Sequence, residues 1–282
     1  MKSFVLAAAS AAALMAAVAS PAVAAPIFGV NPAGIPGYIG SDGSGNATDI
    51  HVSSSSIIRQ TGANTQTEDG YAFVTSFTNN GSDVAVGLLP PGGPAVLQNS
   101  HQVYGLYFTY SATVTGLSAI GVPGTGVIAP GAFTYALYAD PNYNNSYTGA
   151  SLAGGGTNGS ISNTGDDILL ASGSSILGGA GFQTPSGAPT INSINSFVLT
   201  PAGSGYFFSP DPFYNLSFLS ATAGSFTDLQ IAPGGSYAVL NGISATVNFL
   251  PNPVPEPLTL SLFGAGLAGL AGMRSRRQSK KA

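Results

Sequence analysis

Proton transfer near neutral pH calls for imidazoles, or for carboxylates held as an acid and base pair, and this chain offers few of either. Its imidazoles are His51 and His101, and its adjacent acids are Glu68 with Asp69 and Asp166 with Asp167. His51 opens an apparent strand and His101 stands beside Asn99, Ser100 and Gln102, so both read as surface or strand-edge residues rather than bases. Neighbours on a strand point to opposite faces, so neither acidic pair forms a natural acid and base couple. With no cysteine there is no thiol nucleophile, thiolate metal site or disulfide framework. The nearest approach to a serine elbow, Gly234, Gly235, Ser236, Tyr237 and Ala238, fails at its last position. Two G-x-G-x-x-G runs, Gly154, Gly156, Gly159 and Gly264, Gly266, Gly269, lie in a polar loop and in an apolar terminal segment. Neither sits at the strand-to-helix turn that binds pyrophosphate. The residues therefore predict a protein that is not an enzyme.

Two binding chemistries remain. Asp140, Asn142 and Asn144 place oxygen ligands at alternating positions of one loop, which is the early spacing of a calcium loop. Asn145 stands where the turn glycine belongs and Ser151 fills the twelfth, normally acidic, position, so a plain Asx-rich turn is the favoured reading and calcium the alternative. The 12 tyrosines could stack on sugar rings, but there is no tryptophan and most tyrosines fall in strand patterns, where a core or cross-strand role is favoured.

Charge narrows the partners. Only 6% of the 282 residues are charged, against about 25% in an ordinary soluble domain. Six of the seven basic residues lie at the ends: Lys2, then Arg274, Arg276, Arg277, Lys280 and Lys281. Between residues 25 and 255 Arg59 alone faces ten carboxylates, a net charge of −9. Such a body cannot neutralise a phosphate backbone, which excludes nucleic acid as its partner.

The two ends read as addresses. Met1, Lys2 and Ser3 precede an apolar run over residues 4–18, and Ala22 and Ala24 place a signal-peptidase cut before Ala25. At the other end Val254, Pro255, Glu256 and Pro257 precede residues 258–273, which carry no charge, and Arg274, Arg276 and Arg277 follow. At 1.5 Å per residue that helix is about 24 Å long, short of the ~30 Å hydrocarbon core, which makes it a marginal transmembrane anchor. The basic tail, 274–282, would stay cytoplasmic and hold the body on the far side.

These residues resemble the PEP-CTERM sorting signal of exported bacterial proteins, with all three parts present over about the last thirty residues. The resemblance implies recognition by an exosortase, a membrane cysteine protease, and cleavage near Pro255, Glu256 and Pro257. It implies delivery to the outer surface or exopolysaccharide matrix of a Gram-negative bacterium, after transient anchoring in the inner membrane by the C-terminal helix.

The elements of the body are strands. Ile243, Ala245, Val247 and Phe249 alternate with polar residues, as do Tyr214, Leu216 and Phe218; Phe133, Tyr135 and Leu137 share one face of a segment, and Tyr71, Phe73, Thr75 and Phe77 one face of another. Residues 103–114, 167–171 and 197–200 are further candidates. Glycine, proline, asparagine and serine clusters at 90–94, 122–126, 154–165 and 178–189 punctuate them. The chain divides into a signal peptide (1–24), a β-rich exported body (25–250) and the sorting segment (251–282). Its fold class is all-β, an antiparallel β-sandwich or jelly-roll-like body, with an N-terminal signal helix and a C-terminal transmembrane helix.

Residues 104–109 (YGLYFT), 137–142 (LYADPN), 166–171 (DDILLA) and above all 195–219 are similar to segments of the flocculation-associated PEP-CTERM proteins, a family with no catalytic motif to carry over. That resemblance implies an adhesive or matrix role in floc or biofilm formation, with exopolysaccharide as partner. The alternatives are a secreted calcium-dependent carbohydrate-binding module and, behind it, a jelly-roll glycan hydrolase or lyase.

Overall fold

The computed structural model describes residues 26–40, 43–84, 96–98, 101–103, 105–182, 189–222 and 229–251. The signal segment with Ala22, Ala24 and Ala25, the motif Val254, Pro255, Glu256 and Pro257, the helix 258–273 and Arg274, Arg276 and Arg277 all lie outside the described residues. Among the described residues no helix is long and apolar enough to cross a membrane.

Eight strands build the body: β1 (Asp49–Gly62), β2 (Thr65–Asn79), β3 (Leu106–Thr115), β4 (Phe133–Ala139), β5 (Ile168–Phe182), β6 (Pro189–Ser196), β7 (Leu216–Thr222) and β8 (Tyr237–Leu250). Each pairs antiparallel with the next, and β8 pairs with β1 from Tyr237 opposite Arg59 to Asn248 opposite Asp49. The sheet therefore closes into an up-and-down barrel. The all-β expectation holds, but one closed sheet stands where two facing sheets, a sandwich or jelly roll, were expected. The physical reason lies in chain order. Each strand pairs with its neighbour in sequence, and the twist of eight such strands brings the free edge of β8 onto that of β1, where closure satisfies both rows of edge hydrogen bonds.

Bulges supply the curvature. One falls in β8 at Gly242, whose φ of +80° suits glycine, and another in β2 at Thr75, opposite the step from His51 to Val52. Glycine punctuation was a poor guide here. β5 runs on through Gly178, Gly179 and Gly181 to Phe182, and a further strand, Gly124–Ile128, pairs with that glycine-rich half. A Cβ on Gly181 would stand 2.8 Å from the Gly124 carbonyl oxygen, so the glycines permit close strand approach instead of ending the strand.

Ile243, Ala245, Val247 and Phe249 are buried, as are Phe133, Tyr135 and Leu137, in agreement with their alternation. Two other alternations come out differently. In β2 the Thr75 bulge moves Phe77 into the main core while Tyr71 and Phe73 join a separate outer cluster with Tyr107. In β7 Ser217 is the fully buried residue and Phe218 is half-buried, because the inner face at that height is polar.

One end of the barrel is closed by aromatic rings. The strand Phe28–Val30 pairs with Gly45–Ala47 and with Phe207–Ser209, bringing Phe28 and Phe207 against Phe213 and Phe249. A short helix, Pro201–Tyr206, feeds this plug; Thr200 caps it, its Oγ1 accepting from Gly203 N at 3.0 Å, with Pro201 in the first turn. Thr200 followed by Pro201 was the available signal for this helix.

Residues 140–167, between β4 and β5, fold over the outer face of β8, β1, β2 and β3. Tyr147 and Ile161 pack on Tyr71, Phe73 and Tyr107, while Ala150 and Leu152 pack on Ile57 and Val239. The Ser55 hydroxyl accepts from Ala150 N and donates to Asn241 Oδ1, and Arg59 Nη2 donates to Gly156 O and Asn158 Oδ1. Residues 52–58 are thus buried on both faces, which is why they lack a period of two.

Candidate functional site: the barrel lumen

Inside the barrel, between the aromatic plug and the opposite end, lies a cavity of about 100 Å³ lined by residues of all eight strands. The space exists because Ala72, Ala180, Ala221 and Ala245 point small side chains into it. Most of the remaining wall is apolar, from Val52, Ile58, Phe108, Val114, Leu240 and Val247. The rim includes Gln66, Thr67, Gly181, Pro189 and Thr190, at the end where β1 turns into β2.

A polar belt crosses this lumen. Glu68 is buried, and its Oε1 accepts from Ser56 Oγ at 2.7 Å and from Tyr110 OH at 3.1 Å. Gly70 stands opposite both Ser56 and Tyr110 in the register, and the missing side chain lets the two hydroxyls lean toward Glu68. Across the lumen Tyr135 OH donates to Ser196 O at 2.8 Å and lies 3.5 Å from Ser217 Oγ. Asn195 Nδ2 donates to Ser193 Oγ at 3.0 Å and Ser193 O at 3.4 Å. Asn195 is 1% exposed, and its Oδ1 has no hydrogen-bond partner in the protein.

Burial pushes the Glu68 carboxyl above its ordinary 4.5, and the two hydroxyls only partly offset this. Burial likewise raises Tyr110 and Tyr135, so both remain protonated donors. A carboxyl whose pKa rises on folding holds its proton more tightly folded than unfolded, so its contribution to stability is complete below 4.5 and is lost as pH climbs through the raised value. Glu68→Gln is therefore expected to flatten part of the stability decline between acid and neutral pH. Asp167, also raised by burial, keeps its own part of that slope in both proteins. Urea melts of both proteins at steps of pH from 4 to 8 measure this difference, and parallel profiles would refute it.

No family model, curated protein or solved structure matches the chain.

His51, Asp140, Asn142 and Asn144 are not among the residues that line the lumen. His51 is half-buried, with Nε2 3.2 Å from Thr78 Oγ1 and Nδ1 3.3 Å from Thr246 Oγ1. His101 falls in the strand His101–Val103. Asp140, Asn142 and Asn144 do come together, as the hydrogen bonds of an Asx turn. Asp140 Oδ1 and Asn142 Oδ1 each accept from Asn144 N at 3.3 Å, Asp140 Oδ2 accepts from Asn145 N at 3.0 Å, and Asn144 Nδ2 donates to Asp166 Oδ1 at 3.2 Å. Among the described residues no three acidic or imidazole side chains converge as a metal site would need. Asp167 accepts from Tyr107 OH and from Asn145 Nδ2, joining this loop to β3. Tyr71 and Tyr107 are buried beneath residues 140–167, in the core role that their strand pattern favoured.

The members of each acidic pair diverge in role. Glu68 faces the lumen with a raised carboxyl, while Asp69 is its neighbour on the other face of β2. Glu68 and Tyr110 were not legible as a pair because their strands meet only through sheet pairing, and Asn195 comes to line the same cavity only when the sheet closes.

Proposed function

We propose that the chain is an exported, non-enzymatic protein of the cell surface or extracellular matrix, sorted by a PEP-CTERM and exosortase route, whose barrel body supports floc or biofilm formation with exopolysaccharide. The observation that carries this reading is the C-terminal order of Val254, Pro255, Glu256 and Pro257, the uncharged residues 258–273, and the cations Arg274, Arg276 and Arg277. A signal peptide cut before Ala25 supplies the matching export step. Signal peptidase and exosortase are the processing partners, and the C-terminal helix is the transient contact with the inner membrane of a Gram-negative cell.

The character of the body supports the same reading. Once both ends are removed it carries Arg59 against ten carboxylates, and the Arg59 guanidinium is already engaged by Gly156 and Asn158. Low charge density weakens electrostatic repulsion from hydrated polymers.

Two measurements test sorting and role separately. Mass spectrometry of the exported protein is expected to find the chain ending near Pro255 to Pro257, and an intact Ala282 would contradict processing. Deleting the gene is expected to reduce cell aggregation, with restoration by the full chain and not by a version truncated before Pro255. Normal aggregation in the deletion strain would remove the matrix role and leave the sorting claim standing.

A further inference from the structure

We propose that the cleft between residues 159–167 and the outer face of β2, β3 and β4 binds one sugar ring without acidic groups, as a unit of a polysaccharide. This deepens the matrix reading and rests on it for the polysaccharide as the source of the ring.

Strand register builds one wall of the cleft. Tyr71 of β2 stands opposite Thr109 of β3, and Tyr107 of β3 stands opposite Tyr138 of β4, so the four share the outer face of neighbouring strands. Gly159, Thr164 and Asp167 line the other side. The space is about 410 Å³, inside the range of roughly 300–1,000 Å³ for ligand clefts. Scaled from benzene in about 150 Å³, it takes about 16 heavy atoms, enough for one hexose ring of about a dozen and too few for a disaccharide of about two dozen.

The chemistry of the wall suits such a ring. Its accessible surface is mostly polar. Tyr71 and Tyr107 are buried and pack against Tyr147, which leaves Tyr138, half-buried, as the most exposed of the three rings lining the cleft. Tyr138 stacks on Tyr107 with centroids 5.3 Å apart and planes 17° from parallel, and Tyr107 OH donates to Asp167, which also accepts from Asn145 Nδ2. The aromatic platform is thus fixed before a guest arrives, which lowers the entropic cost of binding. Thr109 and Thr164 are exposed, and their hydroxyls and that of Tyr138 enter no side-chain hydrogen bond among the described residues. Hydroxyls both donate and accept, as the hydroxyls of a sugar do, while the C–H face of the ring can cover the tyrosine. Charge sets the remaining limit. Asp167 lines the cleft and no cation does, and Arg59, the one arginine or lysine among the described residues, is held by Gly156 and Asn158. A uronate or a phosphorylated sugar would therefore lose water against an acid with no counter-charge.

The test uses the full chain in lipid nanodiscs, with threonine and isoleucine methyl groups and tyrosine rings labelled for NMR. The probes are the methyl glycosides of glucose, galactose and mannose, with methyl glucuronide as the acidic counterpart. At least one neutral glycoside is expected to shift the Tyr138 ring and the methyls of Thr109, Ile161 and Thr164, with a Kd in the millimolar range suited to a single ring, while the Ile243 methyl in the lumen stays still. The glucuronide is expected to leave all of them unmoved. Tyr138→Ala is expected to weaken binding about tenfold, and Thr109→Val, which removes one exposed hydroxyl at similar volume, about threefold. The proposal is overturned if no neutral glycoside moves these signals, if the glucuronide binds as well, or if either variant binds as tightly as the native chain. Should Tyr138→Ala fail to fold, Thr109→Val decides the matter. Glycoside binding together with normal aggregation of the deletion strain would remove the matrix role and keep the cleft; absent binding together with lost aggregation would do the reverse.

Discussion

Replacing Phe249 by alanine is expected to lower the unfolding free energy by about 4 kcal/mol, within the range for deleting a buried phenylalanine ring. Phe249 is 1% exposed and sits at the centre of the plug, with ring centroids 4.8 Å from Phe197, 4.9 Å from Phe28 and 4.9 Å from Phe213, all three near edge-to-face. Removing it takes away the ring's own burial and these quadrupole-oriented contacts together. The plug also joins pieces from distant parts of the chain, Phe28 before the barrel, Phe207 and Phe213 between β6 and β7, and Phe249 near the end of β8. Collapse around the hole would have to move all of them, so little relief is available. Chemical denaturation measures the loss, and a change below about 1.5 kcal/mol would show that the plug does not hold that end of the barrel.

Gly173→Ala is expected to cost about 3 kcal/mol, a large effect for one added methyl group. Gly173 lies on β5 directly opposite Tyr135 of β4. A Cβ there would stand 1.9 Å from Ser196 O and 2.7 Å from Tyr135 Cζ. The Tyr135 ring fills the space that glycine leaves, and from that place its hydroxyl donates to Ser196 O. The methyl group would collide with backbone on one side and with the ring on the other, so moving the tyrosine relieves only half of the clash. Gly165→Ala is the control, because nothing lies within 4 Å of its added Cβ, and it is expected to be near neutral. Comparable melting curves for the two variants would sink the argument.

Both effects come from contacts between residues distant along the chain, and the closure of the sheet was its least legible feature. Local alternation in 133–137 and 243–249 reports strand type and inward face correctly, since each residue's burial there depends on one sheet surface. Tyr71, Phe73 and Phe77 defeat it because the bulge at Thr75 shifts the alternation by one residue, and no residue type marks that position. Ser217 and Phe218 defeat it for another reason: which face is inner is set by the strands opposite, where Tyr135 needs a polar neighbour. The glycines of β5 read as a loop because glycine's local preference is for turns, while its use here is close backbone approach. The candidate site suffered most. Glu68 was visible as one of two adjacent acids, but its burial, its hydroxyl partners on β1 and β3, and Asn195 lining the same cavity are properties of strands that meet across the sheet.

The amino-acid sequence by itself determined what depends on composition and on neighbours along the chain: strands rather than helices, a body nearly stripped of cations, no cysteine chemistry, and two terminal segments patterned as addresses. Hydrophobic period, charge and cleavage pattern are short-range quantities, so they survive in a linear reading. Only the tertiary structure decided that the sheet closes, which end is plugged, and that a lumen with an acid, an unpartnered amide oxygen and small alanines lies inside. Those depend on the summed twist of eight strands and on contacts between residues more than a hundred positions apart, such as Ser55 and Asn241 across the closing pair of strands, for which no local pattern exists.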